Sequence, residues 1–207
     1  MRRAFEDTFG IEGAFDGIAM AGRTDQIILR DALARIQCAA TDALLSQFHD
    51  VYLDRLKQEI LAPGNGPKAV MPGIRELLHR LDARNDAFLG LLTGNYAAGA
   101  RIKLEYFGLW KYFACGAFGD DACERNDLMP IALRRAAECG APSVPPRNVF
   151  IVGDTPLDVA CATSAGATSI AVATGGYTAD ALRATGADVV FDDLSDIGAF
   201  LALIDRP

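Results

Sequence analysis

The chain has 207 residues, 51% of them hydrophobic and 23% charged, enough apolar material for one sizeable core or a core with a small satellite. Its net charge of −7 argues against a nucleic-acid surface, which needs a basic patch, and no apolar stretch approaches the roughly 20 residues of a membrane span. Glu6 and Asp7 interrupt the basic start Met1-Arg2-Arg3 before any signal core. The five cysteines, odd in number and without a C-x-x-C, read as reduced thiols of a cytoplasmic protein.

Residues 1 to about 60 read as helical. From Asp25, Ile28, Leu29, Ala32, Leu33 and Ile36 share one face at helical spacing, and Leu44, Leu45, Phe48, Val51, Tyr52, Leu56 and Ile60 repeat the pattern from Asp42. Gly10 to Arg23 reads as a connection. Pro63-Gly64-Asn65-Gly66-Pro67 is a strong breaker, which sets a boundary between a helical segment, 1–66, and the remainder, 67–207. Beyond it, strands alternate with helices. Strands are expected at 87–92, 113–118, 149–152, 168–173 and 188–191, with helices at about 97–107, 128–139 and 157–165, a helix after Gly175-Gly176 that runs through Leu182, and a closing helix at 197–204. This alternation implies parallel βαβ units in an open α/β sheet, on which ligands bind at the carboxyl ends of the strands.

Three groups of polar residues follow expected strands and so share one edge. Thr93, Gly94 and Asn95 offer a hydroxyl, a close backbone approach and an amide to a phosphate oxygen; alone, they are also a plain helix N-cap by Asn95. Arg125 can neutralise a phosphoryl group; alone, it is also a solvated loop residue. Asp154 ends the run Phe150-Ile151-Val152-Gly153, and Asp158 follows four residues later. Carboxylates at a strand tip suit Mg²⁺, because hard cations take oxygen ligands. Asp158 equally completes a capping box with Thr155, with Pro156 at the first helical position.

Taken in order, the apolar strand with Thr93-Gly94-Asn95, the basic Arg125, and the apolar strand with Gly153-Asp154-Thr155-Pro156-Leu157-Asp158 resemble the haloacid dehalogenase (HAD) superfamily over most of the chain. The resemblance implies an α/β fold with a Rossmann-like parallel core, 67–207, and a helical cap domain, 1–66. It implies a Mg²⁺-dependent phosphatase acting on a small phosphorylated metabolite, a phosphate monoester, through an aspartyl-phosphate. Thr93 and Arg125 then hold the phosphoryl group, Gly94 and Asn95 contact substrate, and Asp154 and Asp158 hold the metal. Ala21-Gly22-Arg23-Thr24-Asp25 resembles a cap loop, which makes Arg23 a candidate contact to phosphate or carboxylate; a surface-loop role is open as well.

The family's first motif, D-x-D at the tip of the first strand, supplies the nucleophile and the general acid/base. This sequence contains no D-x-D. Asp16-Gly17-Ile18 imitates it but lacks the second carboxylate. The expectation is a chain that begins late, short of about 20 residues for a strand, its motif and a loop, and that turns over little substrate by itself. The missing first core strand lies between the strands at 87–92 and 149–152 in the family, so a gap or rearrangement is expected between them. A non-catalytic phosphate- or metabolite-binding relative and a phosphomutase of the same superfamily are the alternatives.

Overall fold

The computed structural model describes residues 1–63 and 68–205; Gly64–Pro67 of the expected boundary lie outside the described residues. Helices α1 (Arg2–Phe9), α2 (Asp25–Arg35) and α3 (Asp42–Leu61) wrap one apolar centre of Phe5, Phe15, Leu29, Leu33 and Phe48. Side-chain caps fix two of the starts. The Thr24 hydroxyl accepts from the Ile27 amide at 3.2 Å and the Thr41 hydroxyl from the Leu44 amide at 3.4 Å, each satisfying a donor the first turn leaves unpaired. No helix among the described residues is long and apolar enough to cross a membrane.

The second part opens with α4 (Ile74–Asp82), which the sequence reading passed over. It then alternates: β1 (Gly90–Leu92), α5 (Ala97–Tyr106), β2 (Cys115–Ala117), α6 (Arg125–Glu138), β3 (Phe150–Gly153), α7 (Pro156–Ser164), β4 (Thr168–Val172), α8 (Ala179–Ala184), β5 (Val189–Phe191) and α9 (Ile197–Ile204). Every pairing is parallel. Leu91 lies opposite Gly116, Ile151 opposite Ser169, and Ala171 opposite Val190. Strand β4 shows why this is an α/β core. Ile170 and Val172 bury against Leu77, Leu81 and Phe200 of α4 and α9, while Ala171 between them buries against Val159 and Leu182 of α7 and α8. The two-residue period sends alternate side chains to opposite faces, and helices cover both.

The strands form two sheets, β1-β2 and β3-β4-β5. Among the described residues β1 and β3 do not pair, in keeping with the gap expected between them. A cavity of about 670 Å³ separates them, lined by Leu89–Leu92 on one side and Val149–Val152 on the other. Helix α6 spans the seam. Its Met129 packs with Cys161 and Ala162 of α7, with Leu92 and Ile151 against the same cluster, and its Arg135 holds Asp121 through two hydrogen bonds of 2.6 Å while donating to the Gly116 carbonyl of β2 at 2.8 Å.

Candidate active site

Six of the seven candidate residues lie between a strand's carboxyl end and the first turn of the helix that follows it. Thr93, Gly94 and Asn95 follow β1, Arg125 is the first residue of α6, Asp154 follows β3, and Asp158 lies in the first turn of α7. Arg23 precedes α2. All seven line one cleft of about 360 Å³, together with Met20, Gly22, Asp25 and Ile28. Parallel strands deliver their carboxyl ends to a single edge, and the loop before α2 closes over it.

The two carboxylates have different surroundings. Asp158 is 4% exposed. Its Oδ2 accepts from the Thr155 amide at 2.9 Å and from the Thr155 hydroxyl at 2.7 Å, while its Oδ1 accepts from Arg125. The capping box expected from Thr155 and Asp158 is therefore present, and the same side chain carries an ion pair. Asp154 is exposed to the cleft, and among the described residues no other side chain donates to it. Burial and then the neighbouring charge of Asp158 raise its carboxyl above the ordinary value. Two glycines make room for this pair. A Cβ on Gly153 would stand 2.1 Å from Asp158 Cγ, and one on Gly175 would stand 2.2 Å from an Asp154 oxygen.

Arg125 also donates to the Gly22 carbonyl at 3.2 Å and the Leu92 carbonyl at 3.4 Å. Among the described residues its buried Nε has no partner, which leaves the desolvation of that donor without an offsetting hydrogen bond. The Thr93 hydroxyl accepts from the Asn95 backbone amide at 3.2 Å and from the Asn95 side-chain amide at 2.9 Å. Arg23 pairs with Asp31 at 2.6 Å and donates to the Ala19 carbonyl at 2.9 Å.

The Asp154 carboxylate, free of side-chain partners among the described residues, has the donor chemistry that suits a hard dication. Asp158 in this arrangement has both oxygens engaged by Thr155 and Arg125. Among the described residues no group of three or more Asp, Glu, His or Cys side chains is placed to hold a metal ion.

The sequence reading missed Asp25, which lines the cleft, and Lys103, which reaches Asn95. The Asp25 amide donates to the Gly94 carbonyl at 2.7 Å, and an Asp25 carboxylate oxygen accepts from the Tyr96 amide at 3.0 Å. Lys103 donates to Asn95 Oδ1. Burial raises Asp25 and lowers Lys103 from their ordinary values, each opposed by the other's charge. A lysine between Ile102 and Leu104 on an amphipathic helix was the available signal, and taken alone it reads as solvated.

The arrangement has known counterparts. A HAD-hydrolase-like family model matches residues 125–197, the stretch from Arg125 through both carboxylates. A probable phosphatase, IndB, of Dickeya dadantii is 30% identical over 163 residues, covering 78% of this chain and 66% of that protein. A phosphoglycolate phosphatase of Rhodospirillum rubrum is 34% identical over 133 residues, covering 64% of this chain and 53% of that protein. The chain thus spans between half and two thirds of the length of these curated relatives. A crystal structure of a predicted phosphoglycolate phosphatase from Haemophilus somnus superposes with a TM-score of 0.69 at 18% identity, covering 97% of this chain and 88% of that one. That likeness extends the shared fold over nearly the whole chain. An α/β Rossmann-like core bearing these motifs in this order defines the class: the chain belongs to the haloacid dehalogenase superfamily.

Proposed function

We propose that this chain carries the phosphate- and metal-binding part of a HAD-type phosphatase acting on a small phosphate monoester. The observation that carries the reading is the convergence of three groups on one cleft: the Thr93 hydroxyl, the Arg125 guanidinium and the carboxylate of Asp154. Thr93 and Arg125 would hold the phosphoryl oxygens, with Gly94 and Asn95 beside them and Arg23 able to leave Asp31 for an anionic substrate. Bound at Asp154, Mg²⁺ would supply charge neutralisation to the phosphoryl group. Asp158 would keep Arg125 aimed beside it. Helices α1–α3 would act as the cap that excludes water and selects the substrate. The relatives named as phosphatases support this reading.

The nucleophile of the family's aspartyl-phosphate chemistry belongs to D-x-D, and this sequence has none. Its residues bind and orient phosphate; turnover of p-nitrophenyl phosphate by this chain is expected at background. The direct test is titration calorimetry with inorganic phosphate and MgCl₂. Saturable phosphate binding that requires Arg125 and is strengthened by Mg²⁺ through Asp154 is the expected result. No phosphate binding by the wild-type chain would overturn the reading. The absence of D-x-D also favours a second reading, a binding protein without catalysis. The intact mass from native cells separates the two: a mass well above 22.1 kDa supports the hydrolase, and a matching mass supports the binding protein.

A further inference from the structure

The Thr93 hydroxyl can do its proposed work only if its proton points into the cleft. A hydroxyl has one proton to donate and two lone pairs. Both lone-pair directions at Thr93 Oγ1 are taken, one by the Asn95 backbone amide at 3.2 Å and one by Asn95 Nδ2 at 2.9 Å. The proton therefore has no neighbour on the Asn95 side and is left for a ligand.

This holds for only one orientation of the Asn95 amide. Rotated by half a turn, the side chain would present Oδ1 to Thr93. The hydroxyl would then donate to Asn95, and a lone pair would face an anionic ligand instead of a proton. The Asn95 backbone amide cannot prevent this, because it donates in either case. What discriminates is the other end of the side chain, where Lys103 Nζ donates to Asn95 Oδ1. An ammonium has three donors and no acceptor, so it accepts only the oxygen face of the amide. Lys103 reaches Asn95 from the second turn of α5. It is half-buried, with the carboxylate of Asp25 and the α-amino group of Met1 as its charged neighbours.

We propose that Lys103 is a positioning residue for phosphate binding: by fixing the orientation of the Asn95 amide it keeps the Thr93 hydroxyl a donor toward the cleft. The proposal rests on the reading that Thr93 holds a phosphoryl oxygen. Lys103 itself does not touch the ligand.

The test compares wild type with Lys103→Met, which keeps the aliphatic stem and removes the donors, and with Lys103→Arg, which restores a donor-only head. Inorganic phosphate in the presence of MgCl₂ is the probe, measured by calorimetry. Lys103→Met is expected to weaken phosphate about tenfold, the scale of one misdirected hydrogen bond, with Lys103→Arg recovering most of the loss. Unchanged affinity in Lys103→Met, or no recovery in Lys103→Arg, would overturn the proposal. A second readout needs no ligand. In the amide proton–nitrogen spectrum of the free protein, the Asn95 side-chain NH₂ pair is expected to shift in Lys103→Met and to return in Lys103→Arg, and an unmoved pair would also overturn it. If wild type fails to bind phosphate, the functional reading falls, while the Asn95 resonances still judge the relay. Should Lys103→Met not fold, Lys103→Gln replaces it in both measurements.

Discussion

Arg125 and Asp158, 33 residues apart in sequence, form an ion pair that ties the first residue of α6 to the first turn of α7. Their side chains are 13% and 5% exposed, so neither charge has much water to fall back on. Asp158→Ala strands a buried guanidinium and removes the Thr155 cap together. A loss of about 3–5 kcal/mol is expected, read as a lowered urea midpoint. Adding Arg125→Met to Asp158→Ala should restore part of it, because the stranded charge goes too. A double variant no more stable than Asp158→Ala would show that the cap, and not the pair, dominates.

Gly175 and Gly176 are neighbours with opposite sensitivities. A methyl on Gly175 would meet the Asp154 carboxylate at 2.2 Å, whereas one on Gly176 would meet nothing within 4 Å. Gly175→Ala should displace Asp154 and weaken Mg²⁺ binding by about tenfold, because the ion tolerates little departure from its preferred geometry. Gly176→Ala should bind like wild type. Calorimetric titration with MgCl₂ checks both, and equal behaviour of the two variants would refute the placement of the metal at Asp154.

Asp154 makes a testable demand on pH. Burial and the charge of Asp158 raise its carboxyl in the folded protein, so the folded state holds this proton more tightly than the unfolded chain does. The stability from that preference is complete below the ordinary carboxylate value and is lost as pH rises through the raised one. Asp154→Asn removes the penalty at neutral pH. Without Mg²⁺ it should therefore melt above wild type at pH 7, with the difference closing toward pH 4.

The Arg135–Asp121 pair behaves in the reverse sense. The hydrogen bonds from Arg135, together with the Phe118 amide, hold the Asp121 carboxyl below its usual value. Its stabilisation is present above the ordinary carboxylate value and lost as pH falls through the lowered one. Arg135→Met should cost about 1–2 kcal/mol at pH 7, the bidentate geometry partly discounted for side chains 34% and 17% exposed. The gap should narrow in acid, as urea melts at two pH values will show.

The alternating core and the polar edge were legible because each strand is a short apolar run that ends in glycine or a polar cluster. Thr93, Arg125, Asp154 and Asp158 could be placed together from topology alone, since parallel strands share a carboxyl edge. Helix α4 was legible in principle, with Ile74, Leu77, Leu78 and Leu81 at helical spacing, but it lies between two breakers and was passed over. The start of α6 fell three residues earlier than expected, which moves Arg125 from a loop onto a helix terminus. The pairing of Arg23 with Asp31 could not be read, because which carboxylate an arginine reaches depends on how the loop before α2 turns. The Lys103–Asn95–Thr93 chain was hidden for the same reason: a lysine on an amphipathic helix looks solvated until another layer covers it.

The seam between β1 and β3 gives the cleft a mechanical character. Thr93 hangs from one sheet and Asp154 from the other, with no backbone ladder joining the two among the described residues. Their separation is set by what crosses the seam, namely the apolar contacts of α6 and the tie from Arg125 to Asp158. The cleft is thus a joint with a brace, and loosening the brace changes the span between the two halves before it unfolds either.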